Sequence, residues 1–336
     1  MDGLGVGLLG CGGMGRALAR ALATVEQARL VALWDKAGDA AAAAAEELGV
    51  EAARSLDDLL ANERIGAVLV AAPQFAHADL TVAAAEAGKH VFCEKPMATT
   101  LADCDRMIEA CRRAGVVLMI GQVCRYHAVH GKIRELVTSG EIGRPVCITV
   151  HRLGGPWRGA VAQPWRLRRE TSGGNLMEIN AHEIDFMRWV FGGVARVVAV
   201  GDTFASDKLD YPDVALVVME FANGAKGLLH SSQASALGAY GGRVDCTEGS
   251  AVFPAFWGQD AGVRVGKFGG EPIFIPASDI PVENPVTHEL RDFVASVLAG
   301  RPAPIPGEEG RAAVEVALAA YRSIETGRPV DLPLGG

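Results

Sequence analysis

Apolar runs long enough to cross a bilayer are missing from this chain; the Ala-rich stretch from Ala40 to Ala45 is short and closes on Glu46-Glu47. No basic segment precedes the apolar residues of Met1-Asp2-Gly3-Leu4-Gly5-Val6, so no secretory signal is read there and the expected compartment is the cytoplasm. Cysteine is sparse and odd in number: the seven thiols sit in hydrophobic contexts such as Val91-Phe92-Cys93, which suits reduced, buried side chains and excludes a disulfide framework. No Cys-x-x-Cys pair has a matching Cys or His pair, so a zinc site has no support. Positive charge is also short, with 32 Lys and Arg against 40 Asp and Glu. The resulting net charge of −8 argues against a nucleic-acid partner, because phosphate binding relies on a basic surface.

What is present points to a packed globule that acts on small molecules. Hydrophobic residues make up 49% of 336, and that length predicts two domains, each with its own core. The first third alternates short apolar runs with Ala-rich helical stretches. Strands are predicted at Val6 to Leu9, Leu30 to Trp34, Ala67 to Ala71, His90 to Cys93 and Val116 to Ile120, and helices at Gly15 to Thr24, Ala37 to Leu48, His77 to Ala87 and Thr100 to Ala114. Near-continuous Val/Leu/Ile strands separated by helices signify a parallel sheet covered on both faces, the α/β doubly wound nucleotide-binding layout. This domain is placed at residues 1–122.

The texture then changes. A helix from Ala128 to Ser139, a strand from Pro145 to Arg152, a Gly/Arg/Trp-rich loop from Leu153 to Ser172 and one helix from Leu176 to Phe191 are predicted. Strand-like runs follow without intervening helices, including Asp213 to Phe221, Ala225 to Gln233 and Val263 to Phe268, with Asn223-Gly224 as a hairpin signal. They predict a mostly antiparallel sheet in an α+β domain over residues 123–336, whose last helices, Pro285 to Ala299 and Gly307 to Thr326, pack back on the first domain.

The chemistry-bearing motif comes first in the chain. In Gly10-Cys11-Gly12-Gly13-Met14-Gly15, Gly10 permits a tight turn, Gly12 admits a pyrophosphate without a Cβ in the way, and Gly15 lets the helix lie against the strand. The amides at the helix start then meet the phosphate charge. Asp35 closes the second strand, where a carboxylate would hydrogen-bond the adenosine ribose and repel a 2′-phosphate. NAD is therefore expected over NADP, with the adjacent Lys36 able to soften the preference; the alternative for Asp35 is a solvated turn residue.

Further residues form a candidate site. Lys95, between Glu94 and Pro96, follows a strand at its carboxyl end, where ligands collect in open α/β sheets, and could stabilise a developing alkoxide; the alternative is a surface lysine paired with Glu94. Glu178 and His182, four apart on the predicted helix, share a face with Asp185. His182 is assigned the proton of a secondary alcohol, and Glu178 orients it or holds a hydroxyl; an ion-paired helix face is the alternative. Gly173-Gly174 brings backbone close to something just before. A third metal ligand is not evident, so no metal is expected. Trp157, Arg158, Trp165, Arg166, Arg168 and Arg169 crowd the preceding loop, where indole faces suit a pyranose and guanidinium forks suit hydroxyls or anions; Trp157 equally reads as a loop anchor.

Taken together, the amino-terminal fingerprint, Ala72-Pro73-Gln74-x-x-His77, Gly88-Lys89-His90-Val91-Phe92-Cys93-Glu94-Lys95-Pro96, and Gly173-Gly174-x-Leu176-x-Glu178-x-x-x-His182-x-x-Asp185 resemble the Gfo/Idh/MocA oxidoreductases over Gly5 to Leu334. The resemblance implies a Rossmann domain, an open antiparallel sheet, a nicotinamide cofactor, a cis Lys95-Pro96 bond, and a homodimer or homotetramer formed through that sheet. It also implies that Cys11, Gly13, Met14, Ala72, Pro73, His77, Glu94, Gln122 and Trp165-Arg166 lie near the cofactor, and that Arg125 borders the pocket; on their own residues, Arg125 equally caps the domain junction and His77 equally serves structure. Where relatives often carry aspartate, this chain has Glu178. The function so implied is NAD-dependent hydride transfer to or from a secondary alcohol carbon of a sugar, glycoside or cyclitol, with Lys95 and His182 assisting and no membrane partner. Two rivals are an NAD-retaining glycoside hydrolase that oxidises its sugar transiently, and a cofactor-dependent sensor without turnover.

Overall fold

The computed structural model describes residues 3–159 and 162–335; Met1 and Asp2 of the amino-terminal reading, Ala160 and Val161 of the Trp/Arg loop, and Gly336 lie outside the described residues. The chain divides into two units. One runs to Val123 and takes in Glu283–Ala312, and the other is Cys124–Val282 with the chain from Ala313 onward.

In the first unit the order is β1 (Leu4–Leu9), α1 (Gly13–Leu22), β2 (Ala28–Trp34), α2 (Gly38–Leu48), β3 (Glu51–Ala52), α3 (Leu56–Leu60), β4 (Ala67–Val70), α4 (His77–Glu86), β5 (His90–Glu94), α5 (Leu101–Ala114) and β6 (Leu118–Gly121). The strands form a six-stranded sheet in the order β3-β2-β1-β4-β5-β6, parallel throughout. Every residue of β4 and β6 is buried, as strands covered on both faces require, which is why they read as unbroken apolar runs. The sheet grows in opposite directions from β1 and β4, so the crevice at their carboxyl ends is the topological switch point where such folds take ligands. The short β3 and α3 were not anticipated; Ser55 caps α3 by accepting from the Asp58 amide at 3.0 Å.

The second unit contains α6 (Ala128–Thr138), β7 (Pro145–Leu153), α7 (Arg169–Ser172), α8 (Asn175–Glu178), α9 (Ala181–Phe191), β8 (Val194–Asp202), β9 (Val214–Phe221), β10 (Lys226–Ser232), β11 (Ala239–Cys246), β12 (Gly249–Phe253), β13 (Gly262–Lys267) and β14 (Ile273–Pro276). The chain ends with α10 (Pro285–Ala299), α11 (Gly307–Thr326) and β15 (Val330–Asp331). A nine-stranded sheet runs β14-β13-β12-β11-β7-β10-β9-β8-β15. Only β7 and β10 pair in parallel among its neighbours, because the long excursion through α7 to α9 returns the chain to the same sheet.

One face of this sheet carries α9, which lies on β7 and β10, and Ile148, Val150, Val217, Met219 and Leu229 of the sheet are buried. The other is open: Val198 and Val218 face each other across β8 and β9, as do Val200 and Leu216, and all four are exposed. The Asn223-Gly224 turn forms as expected, with Gly224 at φ +87° and Asn223 Oδ1 accepting from the Ala225 amide at 3.0 Å. In the first unit, α10 lies along α1, with Phe293 edge-on to Phe92 at 5.8 Å.

The single helix expected over Leu176–Phe191 is a correction: α8 stops at Glu178 and α9 starts at Ala181. Asn180 breaks it. Its backbone, at φ −87° and ψ 6°, leaves the helical region between the two helices, and its side chain donates to Glu183 Oε2 at 2.8 Å in the first turn of α9.

Candidate active site

The glycine turn is built so that each glycine answers to a different constraint. Gly10 has φ +99°, and a Cβ there would stand 2.6 Å from the Ala72 amide nitrogen. At Gly15 a Cβ would stand 2.0 Å from the Gly10 carbonyl oxygen, so helix and strand meet only without one. Gly12 and Gly13 are different: a Cβ at either would meet nothing within 4 Å. Protein packing does not demand glycine there, whereas a diphosphate brought against the turn would. The start of α1 has no side-chain cap and no acidic residue in its first turn, leaving its dipole uncompensated for an anion. Met14 is half exposed on the same turn.

Asp35 is tied into this turn. Its Oδ2 accepts from the Cys11 amide at 2.7 Å and its Oδ1 from the Ala37 amide at 2.8 Å, so the carboxylate links the end of β2 to the phosphate loop. It is therefore not merely a solvated turn residue. Burial, with Asp35 adding to it, pushes the Cys11 thiol up to about 12, so this sulfur stays protonated. The other thiols agree: all seven cysteines are unpaired, and only Cys147 is not fully buried.

Lys95 directly follows β5, beside the carboxyl ends of β4 and β6, and its peptide bond to Pro96 is cis. Its own amide donates to Glu94 Oε2 at 3.1 Å, and the Glu94 carboxyl packs where Gly121 leaves room, 3.3 Å from an ideal Cβ at that position. His77, buried at the start of α4, lies with Nδ1 3.0 Å from the Pro96 carbonyl and Nε2 2.8 Å from the Ala72 carbonyl. Its imidazole thus clasps the Ala72-Pro73 turn to the Lys95-Pro96 turn, and both nitrogens are occupied by main chain. Gln122, just past β6, is buried with its Oε1 lacking a hydrogen-bond partner among the described residues, an acceptor suited to a carboxamide N–H.

In the second unit Trp157, Trp165, Arg166 and Glu178 close into one cluster, while Arg168 donates to the Lys208 carbonyl and Arg169 pairs with Glu325. Arg166 Nε donates to Glu178 Oε1 at 2.8 Å, and the guanidinium lies over Trp165 and Trp157 at 4.6 and 5.4 Å. Trp157 Nε1 donates to the Tyr211 hydroxyl at 3.2 Å, which in turn donates to the Arg166 carbonyl at 2.6 Å. Burial pushes the Tyr211 hydroxyl up to about 12. Tyr211 was missed in the sequence because it stands in a loop far from any motif; only the adjacent Pro212-Asp213 marks an ordered turn, in which Asp213 accepts from the Phe204 and Ala205 amides. His182 is in the first turn of α9, and Glu178 belongs to α8, so the two no longer share one helix face.

Two further predicted features have protein neighbours of their own. The Gly173-Gly174 pair makes room for protein: a Cβ at Gly173 would strike Met177 at 2.4 Å, and one at Gly174 would strike the Tyr321 hydroxyl at 2.3 Å. That hydroxyl accepts from the Leu176 amide at 3.0 Å and thereby pins the start of α8. Arg125 is committed to Asp185 through Nε to Oδ2 at 2.8 Å and Nη2 to Oδ1 at 2.6 Å, with Trp189 5.6 Å from its guanidinium carbon. Asp185 is fully buried and Arg125 nearly so, an ion pair within the second unit. Asp185→Ala should leave that guanidinium buried without its partner and cost about 3–5 kcal/mol, read as a fall in the urea midpoint. An unchanged midpoint would show that the pair holds nothing.

Comparison with known proteins agrees with this architecture. Residues 4–122 match a family model described as the GFO_IDH_MocA oxidoreductase family, NAD-binding Rossmann fold, and residues 130–252 match the GFO/IDH/MocA C-terminal domain. The chain is 31% identical to the myo-inositol 2-dehydrogenase of Thermotoga maritima over 97% of its length and 98% of that protein's. It is 32% identical to the inositol 2-dehydrogenase of Salmonella typhimurium, covering 98% of this chain and 97% of the other. The aldose-aldose oxidoreductase of Caulobacter crescentus, solved with glycerol, superposes with a TM-score of 0.88 at 30% identity, covering 98% of this chain and all of that one. The chain therefore belongs to the Gfo/Idh/MocA family of oxidoreductases, with an NAD-binding Rossmann domain followed by the family's carboxyl-terminal domain.

Proposed function

We propose that the protein is an NAD-dependent dehydrogenase that moves hydride between the nicotinamide and a secondary alcohol or ketone carbon of a sugar or cyclitol. When bound, the cofactor supplies a hydride acceptor at its C4. The diphosphate would rest on Gly12, Gly13 and the start of α1, and the nicotinamide beside Gln122 and the Lys95 turn. In oxidation the substrate C–H leaves as hydride, the O–H proton passes to His182, and the carbon becomes a carbonyl. Lys95 holds the oxygen while its charge develops, and Glu178, set by Arg166, holds a neighbouring hydroxyl.

The observation that carries it is the position of Lys95 at the carboxyl end of β5, on the ligand-binding edge of a sheet whose glycine turn keeps open space at Gly12 and Gly13. The relatives named as inositol dehydrogenases support the substrate class. The test is to mix the protein with NAD or NADP and a panel including myo-inositol, D-glucose and glucosides, following reduced-cofactor absorbance. Reduction with at least one polyol is expected. Glycoside cleavage without net reduction, or cofactor binding with no reaction, overturns the proposal in favour of a hydrolase or a sensor.

Asp35 sets the cofactor preference in this reading. Asp35→Ser should lower kcat/KM for NAD about tenfold or more relative to NADP, because it removes the ribose acceptor and the charge that repels a 2′-phosphate. An unchanged ratio would confine Asp35 to bracing the turn. The exposed face at Val198, Val200, Leu216 and Val218 is the proposed surface for a homodimer or homotetramer, to be checked by light scattering.

A further inference from the structure

A cavity of about 320 Å3 lies wholly within the second unit, walled by Trp157, Asn175, Ile179, Ser231 and Gln233 among others. Its size falls at the small end of small-molecule sites. Two of its residues are buried amides whose oxygens have no hydrogen-bond partner among the described residues, Asn175 Oδ1 and Gln233 Oε1. Buried polar atoms left in that state are rare and call for a ligand or a fixed water.

The orientation of the Asn175 amide follows from the far end of a buried chain. Glu183, fully buried in α9, has Arg152 3.4 Å from its Oε1 and, as a carboxylate, only accepts. Asn180 must therefore turn its N–H toward Glu183 Oε2, which it does at 2.8 Å. Its oxygen then faces Ser231 and accepts from that hydroxyl at 2.6 Å. The hydroxyl has spent its one proton, so it accepts from Asn175 Nδ2 at 2.7 Å. Each link dictates the next, and the last atom is an acceptor, Asn175 Oδ1. The chain of bonds thus fixes the orientation of the Asn175 amide, on a residue that lines the cavity.

We propose that Asn175 and Gln233 are specificity-determining residues of the substrate pocket, each accepting a hydrogen bond from a hydroxyl of the polyol. This rests on the polyol reading given above. With Trp157 and Ile179 supplying apolar wall, the cavity takes a ring that offers donor hydroxyls and rejects isosteres that can only accept. Glu183, Asn180 and Ser231 are positioning residues that act through Asn175.

Fluorine in place of a hydroxyl keeps the size and removes the donor, so it isolates the predicted sense. The full chain saturated with NADH is titrated calorimetrically with myo-inositol, D-glucose and their monodeoxy-monofluoro derivatives. At one ring carbon or more, the change from hydroxyl to fluorine should weaken binding about tenfold or more, and Asn175→Leu or Gln233→Leu should reduce that discrimination to about twofold or less. Gln233 is outside the relay, so its variant decides the matter if Asn175→Leu does not fold. Equal binding of fluorinated and parent polyols, discrimination that persists in both variants, or no binding by any probe overturns the proposal. Hydride transfer is not the readout: discrimination that depends on these residues without NAD reduction sinks only the dehydrogenase reading. Turnover with unaltered discrimination sinks only this one.

Discussion

Lys95→Ala and His182→Ala should each lower kcat by about 100-fold or more while NAD affinity stays within about threefold of wild type. The argument is one of charge in motion. Removing hydride from a carbinol carbon leaves a carbonyl only if the hydroxyl proton departs, and an ammonium beside that oxygen stabilises the partial negative charge that exists only on the way. Interactions made only in the transition state appear in kcat, whereas those made equally with bound substrate appear in KM. The cofactor's diphosphate and ribose contacts are assigned to Gly12, Gly13, α1 and Asp35, distant in sequence from both side chains, so cofactor titration by fluorescence should barely change. Full turnover in either variant would falsify the assignment of that residue. Because the two lie in different units of the chain, equal losses in both, with no further loss in the double variant, would also show that they act on the same event.

Gly12→Val and Gly15→Val should separate binding from folding. A side chain at Gly15 has to occupy space 2.0 Å from the Gly10 carbonyl oxygen, which neither α1 nor β1 can vacate without breaking the sheet contact. Overpacking against backbone of this kind is expected to cost more than about 3 kcal/mol and to lower the thermal midpoint of the cofactor-free protein by several degrees. Gly12 presents the opposite case: its Cβ meets nothing, its φ is −68°, and the free protein should tolerate the branch. Cofactor binding should then weaken about 100-fold, because the branch fills the approach of the diphosphate. If Gly12→Val binds NAD normally, the open space has been misread. A fully stable Gly15→Val would show that α1 can move.

The parallel sheet and its glycine turn were legible because their cause is local. Strands buried on both faces must be apolar along their length, and β4 and β5 carry that pattern openly in Ala67–Val70 and His90–Glu94. The break between α8 and α9 was not legible. Helical spacing over Leu176 to Phe191 is intact, and only the backbone of Asn180, outside the helical region, shows that the helix is interrupted there. The family motif likewise marked Glu178 and Arg166 without showing that they bind each other.

The same division runs through the site. Residue types alone determined that this chain has a dinucleotide turn, an acid at the end of β2 and a lysine at the end of β5, because turn geometry and ligand charge admit few side chains there. Tertiary structure alone decided that Gly173 and Gly174 yield space to Met177 and Tyr321, that Arg125 belongs to Asp185, and that a relay from Glu183 ends on Asn175. Most of these depend on which neighbour distant in the chain, such as Tyr321, Asp185 or Ser231, fills a given space or takes a given proton, and spacing along the chain carries no record of that.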